Sequence, residues 1–353
     1  MPTEPSDHTG PTDPQAQREA DGGISPAPDT DAPTPFHDLA SFVGQPRLTG
    51  LTLSPDGSRL VASVATLDAD KTAYVTSLWE LDPAAEAAPR RLTRGAKGES
   101  AAAFTADGDL LFAAGRPGAT PGDDDDDSEV PALWLLPRGG GESRLVARRP
   151  GGVGGLRVAR NSGTLVLGSA TLPSAVSDED DAKAAKERKD KKVSAILHES
   201  YPIRHWDHDL GPAFPHLFWA GQLPPDESAD PEVVELRDLT PDAAPPSGAG
   251  DDVALSSDGR QLVRSEEVSD GPAGRRSRVV LTDTGSGRTR VLVDDPLADV
   301  YHPRFSPDGG TVVCVRESLT TYADPPDYTL VTKTTPTPGP SMKFKVRVNG
   351  YRH

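Results

Sequence analysis

The densest concentration of chemically capable side chains lies in "HESYPIRHWDHDL" (198–210), which holds His198, His205, Asp207, His208 and Asp209. Imidazoles and carboxylates are ordinary ligands for zinc and other divalent ions. Ligands must converge, however, and residues three apart face opposite sides of a strand and meet only on a helix. The stretch has no helical periodicity, and Pro202 and Pro212 bracket its core. It therefore reads as an aromatic, charged edge of a sheet, with Trp206 packed and Arg204 paired to an acid. For nucleophilic chemistry, a Ser on a strand–helix elbow needs G-x-S-x-G. The nearest approach, Gly98-Glu99-Ser100-Ala101-Ala102, lacks the second glycine and precedes a predicted strand. No Walker loop, dinucleotide fingerprint, H-E-x-x-H or paired C-x-x-C occurs. The single cysteine, Cys314 in "TVVCVR", reads as a small buried strand residue, with no His or second Cys nearby to activate it. No residue is assigned a catalytic, cofactor-binding or metal-ligating role, and no cofactor is expected.

The elements around these residues are more informative. A phrase recurs: "LTLSPDGSRLVASV" (turn glycine Gly57), "AAFTADGDLLFAAG" (Gly108), "LRVARNSGTLVLGS" (Gly163), "VALSSDGRQLVRSE" (Gly259) and "PRFSPDGGTVVCVR" (Gly309). The spacings are 51, 55, 96 and 50 residues. A period near 50 is that of a propeller blade repeat, and the long interval predicts a degenerate unit between 194 and 240. In Ser306-Pro307-Asp308-Gly309 Pro presets a turn, Asp hydrogen-bonds the local backbone, and Gly takes the left-handed conformation that closes a hairpin. The apolar run that follows predicts a strand buried on both faces. A second half-motif, such as "SLWELDPAAEAAPRRLT" (77–93) or "VVLTDTGSGRTRVLV" (279–293), supplies two more strands. The expected fold is all-β, a β-propeller of four-stranded blades, with about five units and the last cut short.

Residues 1–36 are rich in Pro, Asp, Thr and Ser, and read as a disordered acidic tail. The propeller is placed at 37–330, with a charged insertion loop at 171–193. "GDDDDDSEV" (122–130) reads as a second acidic loop rather than a calcium site, because no EF-hand spacing organises it. Residues 331–353 form an atypical basic tail: no Asp or Glu occurs from Tyr328 to His353, which predicts that the tail arose by a frameshift, misassembly or fusion. "KFKVRVNGY" within it alternates like an edge strand.

Pro (36) and Gly (34) form about a fifth of the 353 residues, which suits many short strands joined by turns. The formal charge of −17 repels phosphate backbones, so no nucleic-acid partner is expected. The N-terminus has neither the basic nor the apolar region of a secretory signal, and no stretch reaches 18 consecutive apolar residues. No membrane partner and a cytoplasmic location are the expectations, the latter consistent with one unpaired cysteine.

The repeated "SPDG…LV" turns, "LWELDP…RRLT", "RHWDHDLGPAFPHLF" after a Lys-rich insertion, and "DVYHPRFSPDG" together resemble the prolyl oligopeptidase family of serine peptidases, in its acylaminoacyl-peptidase and dipeptidyl-aminopeptidase branch. The resemblance covers roughly residues 40–330. It implies a seven-bladed propeller, of which about five blades are present here, that restricts access to an α/β-hydrolase domain carrying a Ser-Asp-His triad, so that short peptides are the substrates. No position here matches the triad. The expectation is therefore a substrate-gating portion, inactive alone. The alternative is a free-standing TolB-like or WD-type propeller acting as a protein-binding scaffold.

Overall fold

The computed structural model describes residues 38–84, 86–116, 130–173, 175–198, 203–221, 223, 233–241, 252–270, 274–322, 325–335 and 346–347. The tail at 1–36 and the five-Asp run lie outside the described residues. The chain divides into two units, residues 1–45 and 46–353. The first contains helix α1 (Leu39–Val43), started by Asp38, whose carboxylate accepts from the Ala40 and Ser41 N–H groups.

The second unit is built from five four-stranded antiparallel sheets. Sheet 1 is β1 (Arg47–Leu53), β2 (Leu60–Leu67), β3 (Tyr74–Leu81) and β4 (Arg90–Arg91). Sheet 2 is β5 (Glu99–Phe104), β6 (Leu110–Ala114), β7 (Ala132–Leu136) and β8 (Arg144–Ala147). Sheet 3 begins with β9 (Gly154–Val158) and β10 (Leu165–Thr171). It then detours through helix α2 (Asp178–Asp190) and a small hairpin, β11 (Arg204–His205) and β12 (His208–Asp209), before β13 (Phe214–Ala220) and β14 (Arg237–Asp238). Sheet 4 is β15 (Val253–Leu255), β16 (Gln261–Asp270), β17 (Gly274–Asp283) and β18 (Thr289–Val293). Sheet 5 is β19 (Ala298–Phe305), β20 (Thr311–Ser318), β21 (Tyr328–Thr334) and β22 (Val346–Arg347).

The recurring phrase is the turn between the first and second strands of every sheet. Its glycines all have positive φ: 74° at Gly57, 88° at Gly108, 69° at Gly163, 74° at Gly259 and 71° at Gly309. In the first turn the Gly57 N–H donates to the Ser54 carbonyl at 2.9 Å. The Ser54 hydroxyl donates to Asp56 Oδ1 at 2.6 Å, and the Ser58 N–H donates to the same oxygen at 3.0 Å. Ser256 with Asp258 and Ser306 with Asp308 repeat the arrangement. The apolar run after each turn is the second strand, flanked on both edges; all five residues of β6 are buried.

Each sheet has a near face, toward the preceding sheet, and a far face, toward the next. Four buried clusters join successive sheets. Val61 and Leu78 of sheet 1 meet Phe104, Leu110 and Phe112 of sheet 2. Leu111 and Leu133 of sheet 2 meet Leu165 and Leu167 of sheet 3. Val166 and Leu217 of sheet 3 meet Val253 and Leu262 of sheet 4. Val263 and Leu281 of sheet 4 meet Val300, Val312 and Cys314 of sheet 5.

Three expectations need correction. Among the described residues the interval of 96 holds no degenerate unit: "FPHLFWA" is β13, paired residue for residue with β10 from Leu165↔Ala220 to Thr171↔Phe214. The extra length is an insertion inside sheet 3, and its charged segment is a 13-residue helix capped by Ser177. Sheet 5 is not cut short, because Val346 and Arg347 pair with Leu330 and Thr329 as its fourth strand. Of "KFKVRVNGY", Val346 and Arg347 form an edge strand and the other residues lie outside the described ones, while β21 runs through residue 330, where the sequence pattern sets the end of the propeller.

Candidate functional site

The five turns gather and are tied to one another. Arg59 Nη1 donates to the Gly108 carbonyl at 2.9 Å, the Asn161 N–H to the Ser257 carbonyl at 2.8 Å, and the Ser257 hydroxyl to the Pro307 carbonyl at 3.2 Å. One bond skips a sheet: Arg160 Nη2, from the third turn, donates to the Pro55 carbonyl of the first at 2.7 Å. Beneath it lies a cavity of about 530 Å³, lined by Thr52–Gly57, Ala103, Phe104, Val158 and Arg160. Its floor is thus made by the first strands of three sheets. The Asp56 carboxyl is held far below the usual carboxylate range by the Ser54 hydroxyl, the Ser58 N–H and the Ser58 hydroxyl. Asp258 and Asp308 are lowered chiefly by Ser256 and Ser306. The mouth therefore carries the Asp56 carboxylate beside Arg160 and main-chain carbonyls, chemistry suited to holding or excluding a polar chain.

A second cleft, of about 570 Å³, opens where the insertion leaves sheet 3. Arg149 is its centre. Its guanidinium lies 3.7 Å over the Phe218 ring, donates to Thr171 Oγ1 at 3.2 Å and pairs with Asp178 at the start of α2. Burial lowers its pKa, opposed by Asp181 and Asp238. Asp181, 2% exposed, accepts from the Leu172 N–H at 3.0 Å and so pins α2 to the sheet. On the opposite wall Arg237 lies 4.8 Å over Trp219, and His216 Nδ1 meets Asp238 Oδ2 at 2.7 Å.

The residues singled out by sequence are dispersed. Arg204 Nε meets Asp209 Oδ1 at 3.3 Å, the acid pairing expected. Trp206 does not pack: it sits at the tip of the β11–β12 hairpin at φ 53°, 97% exposed. The hairpin sets His205 directly opposite His208, a geometry that neither the strand nor the helix argument considered. Among the described residues, no group of three or more His, Cys, Asp or Glu side chains is placed to hold a metal ion. Ser100 lies within β5, on no elbow. Cys314 is buried, and burial pushes its thiol up to about 12.

A feature that sequence reading missed is a recurrent bulge in the first strands. Ala101 (φ 52°), Gly155 (φ 57°) and His302 (φ 52°) each lie seven or eight residues before the turn glycine. At His302 the ring Nδ1 meets Asp252 Oδ1 at 2.9 Å, and the Ser265 hydroxyl donates to the other carboxylate oxygen. Burial raises the Asp252 pKa, but these hydrogen bonds outweigh it and hold the carboxyl below its ordinary value. Only the fixed distance from the turn could have signalled this position.

No protein-family model matches the chain, and no curated protein matches it. Among solved structures, the acylaminoacyl peptidase of Pyrococcus horikoshii aligns with a TM-score of 0.54 at 11% identity, over 83% of this chain and 39% of that one. The chain is a β-propeller of four-stranded blades. Each sheet is one blade, and the propeller spans about two fifths of the length of that peptidase. The propeller domain of the Trilobed protease from Pyrococcus furiosus aligns with a TM-score of 0.42 at 12% identity, over 85% of this chain and 69% of that one. A GH74 enzyme of Niastella koreensis aligns with a TM-score of 0.43 at 11% identity, over 81% and 36%. Among the described residues, no helix is long and apolar enough to cross a membrane.

Proposed function

We propose that this propeller is the substrate-gating portion of a prolyl-oligopeptidase-like serine peptidase that hydrolyses short peptides in the cytoplasm. The cavity beneath the turns carries the reading. At about 530 Å³ it admits an extended peptide segment and excludes a folded domain, and the Arg160–Pro55 bond narrows its mouth. The fold likeness to an acylaminoacyl peptidase and the resemblance of the "SPDG" and "RHWDHDLG" phrases support the same assignment. The 353 residues contain no G-x-S-x-G, so the bond-breaking step is assigned to a catalytic centre outside them.

Two measurements on the purified chain test this. Chromogenic acyl-aminoacyl and dipeptidyl substrates are expected to show no turnover, and a serine-reactive probe no stoichiometric label; one label per chain overturns the assignment. In a binding titration, short fluorescent peptides are expected to bind the chain, and Arg160→Ala to change their Kd several-fold. Equal retention of a folded protein and a short peptide favours the scaffold reading instead.

A further inference from the structure

Helix α2 meets blade 3 without an apolar contact surface. Of its 13 residues only Asp181 is buried, and its sequence, "DEDDAKAAKERKD", holds no apolar side chain larger than alanine. Two carboxylates of its first turn make the attachment: Asp181 accepts from the Leu172 N–H at 3.0 Å, and Asp178 pairs with Arg149. The two bonds are unlike. Asp181 is sealed, whereas the Asp178 side chain is 56% exposed and so reaches Arg149 from the solvent side of the cleft. At the other end of the helix Arg188 Nη2 donates to the Ala195 carbonyl at 2.8 Å, a bond internal to the insertion.

Arg149 is the reverse case, a guanidinium whose side chain is 4% exposed. The Phe218 ring beneath it and the bond to Thr171 Oγ1 fix its plane. Arg149 Nε, and Nε1 of Trp219 on the opposite wall, are buried with no hydrogen-bond partner among the described residues. The acids nearest to them are committed elsewhere: Asp238 to His216 and to the Thr240 N–H at 2.7 Å, and Asp181 to Leu172. Asp178 is therefore the only carboxylate among the described residues that reaches Arg149 within ion-pair distance. Without it a buried cation faces a 570 Å³ cleft that is rich in donors and short of acceptors. A guanidinium held in one plane recognises a carboxylate through its forked N–H groups. Glu235 on the rim is exposed and repels a second negative charge, which selects a monoanion over a phosphate.

We propose that this cleft is a binding site for a carboxylate ligand, and that Asp178 occupies it as a competitor built into the chain. The incoming carboxylate takes the Arg149 guanidinium, Asp178 turns into the solvent that already reaches half of it, and α2 stays tethered by Asp181. Phe218, Trp219 and Ala175 line the cleft and offer an apolar wall to the body of the ligand. The C-terminal carboxylate of a short peptide and the side chain of an acidic residue both present this chemistry. The inference does not depend on the peptidase reading.

Calorimetric titration of the full chain tests it, with N-acetyl-dialanine, its C-terminal amide, N-acetyl-aspartate amide and inorganic phosphate as probes. The wild type is expected to bind at least one of the two carboxylates and not the uncharged amide, and the tighter carboxylate names the source. Asp178→Asn removes the competitor and is expected to tighten that binding about tenfold. Arg149→Gln in the Asp178→Asn background is expected to abolish it. Thr171→Val replaces Arg149→Gln if the latter lowers the thermal midpoint, and is expected to weaken binding several-fold. Trypsin reports the displacement separately: the bound carboxylate is expected to speed cleavage of the wild type after the lysines of α2 several-fold. Equal affinity for acid and amide, an affinity unchanged by Asp178→Asn, tighter binding of phosphate, or a cleavage rate that ignores the ligand overturns the proposal.

Discussion

Blades 1 and 2 are built from nearly the same instructions and end in different environments. Both place a large apolar residue four positions before a left-handed glycine, and both continue into an apolar second strand. Phe104 and Phe112 of blade 2 are sealed against Val61 and Leu78, whereas Leu53 of blade 1 borders the turn cavity and stays 55% exposed. The local sequence therefore specifies a surface that needs a partner blade, and burial is decided by whether a neighbour stands there. Hydrophobic pattern and hydrophobic stabilisation are separate properties, and blade 1 carries the first without the second on one of its faces.

This contrast can be broken by measurement. The largest effect is expected at Phe112, which is fully buried. Phe112→Ala should cost about 3–5 kcal/mol in urea unfolding, through lost transfer energy and the cavity left behind. If Leu53→Ala cost as much, the contrast would be void. Next come the turn glycines. Ala at Gly57 meets nothing within 4 Å and is strained only by its φ of 74°, so it should cost about 1–2 kcal/mol. Ala at Gly259 has the same φ, but its Cβ would lie 2.6 Å from Thr164 and 2.7 Å from Ser162 of blade 3. It should be clearly worse, and equal melting temperatures for the two variants would show that the turns do not bear on one another.

A smaller effect is expected from pH. The carboxyls of Asp56, Asp258 and Asp308 titrate below the ordinary carboxylate value in the folded chain, held there by hydrogen bonds from their turn serines and backbone N–H groups. Their stabilisation is fully present above the unfolded value and is lost as pH falls through the folded ones. The melting temperature should therefore be insensitive to these groups above about pH 5 and fall below about pH 4. Asp56→Asn should flatten that fall, and an unchanged acid limb would remove the turn carboxylates from the account. The smallest effect closes the comparison: Leu53→Ala should change the stability of the chain by less than about 0.5 kcal/mol.

The blade framework was legible because it rests on local chemistry. A Ser-x-Asp-Gly turn, present in three of the five phrases, closes through bonds among neighbouring residues, and a left-handed glycine marks all five, so five turns written in the sequence became five turns in space. The insertion was misjudged because sequence spacing measures distance along the chain, while strand pairing measures register. "FPHLFWA" sits beside Leu165–Thr171 however much chain intervenes. Trp206 was misplaced because an aromatic side chain carries no mark of whether it lies in a sheet or at a hairpin tip. The candidate cavity had no linear signature at all, since Pro55, Phe104, Val158 and Arg160 come from three blades and none is unusual in its own neighbourhood.

The Arg160–Pro55 bond has a kinetic side. The other turn-to-turn bonds link neighbouring blades, which can lock together as soon as both are made. This one joins residues 105 apart in the chain, with the whole of blade 2 between them. Hairpins close in about 1–10 μs, and contacts at long sequence separation wait on everything between them. During synthesis the first blade therefore emerges early, yet its turn stays unanchored until the third blade has formed, and the mouth of the cavity is among the last features to take shape.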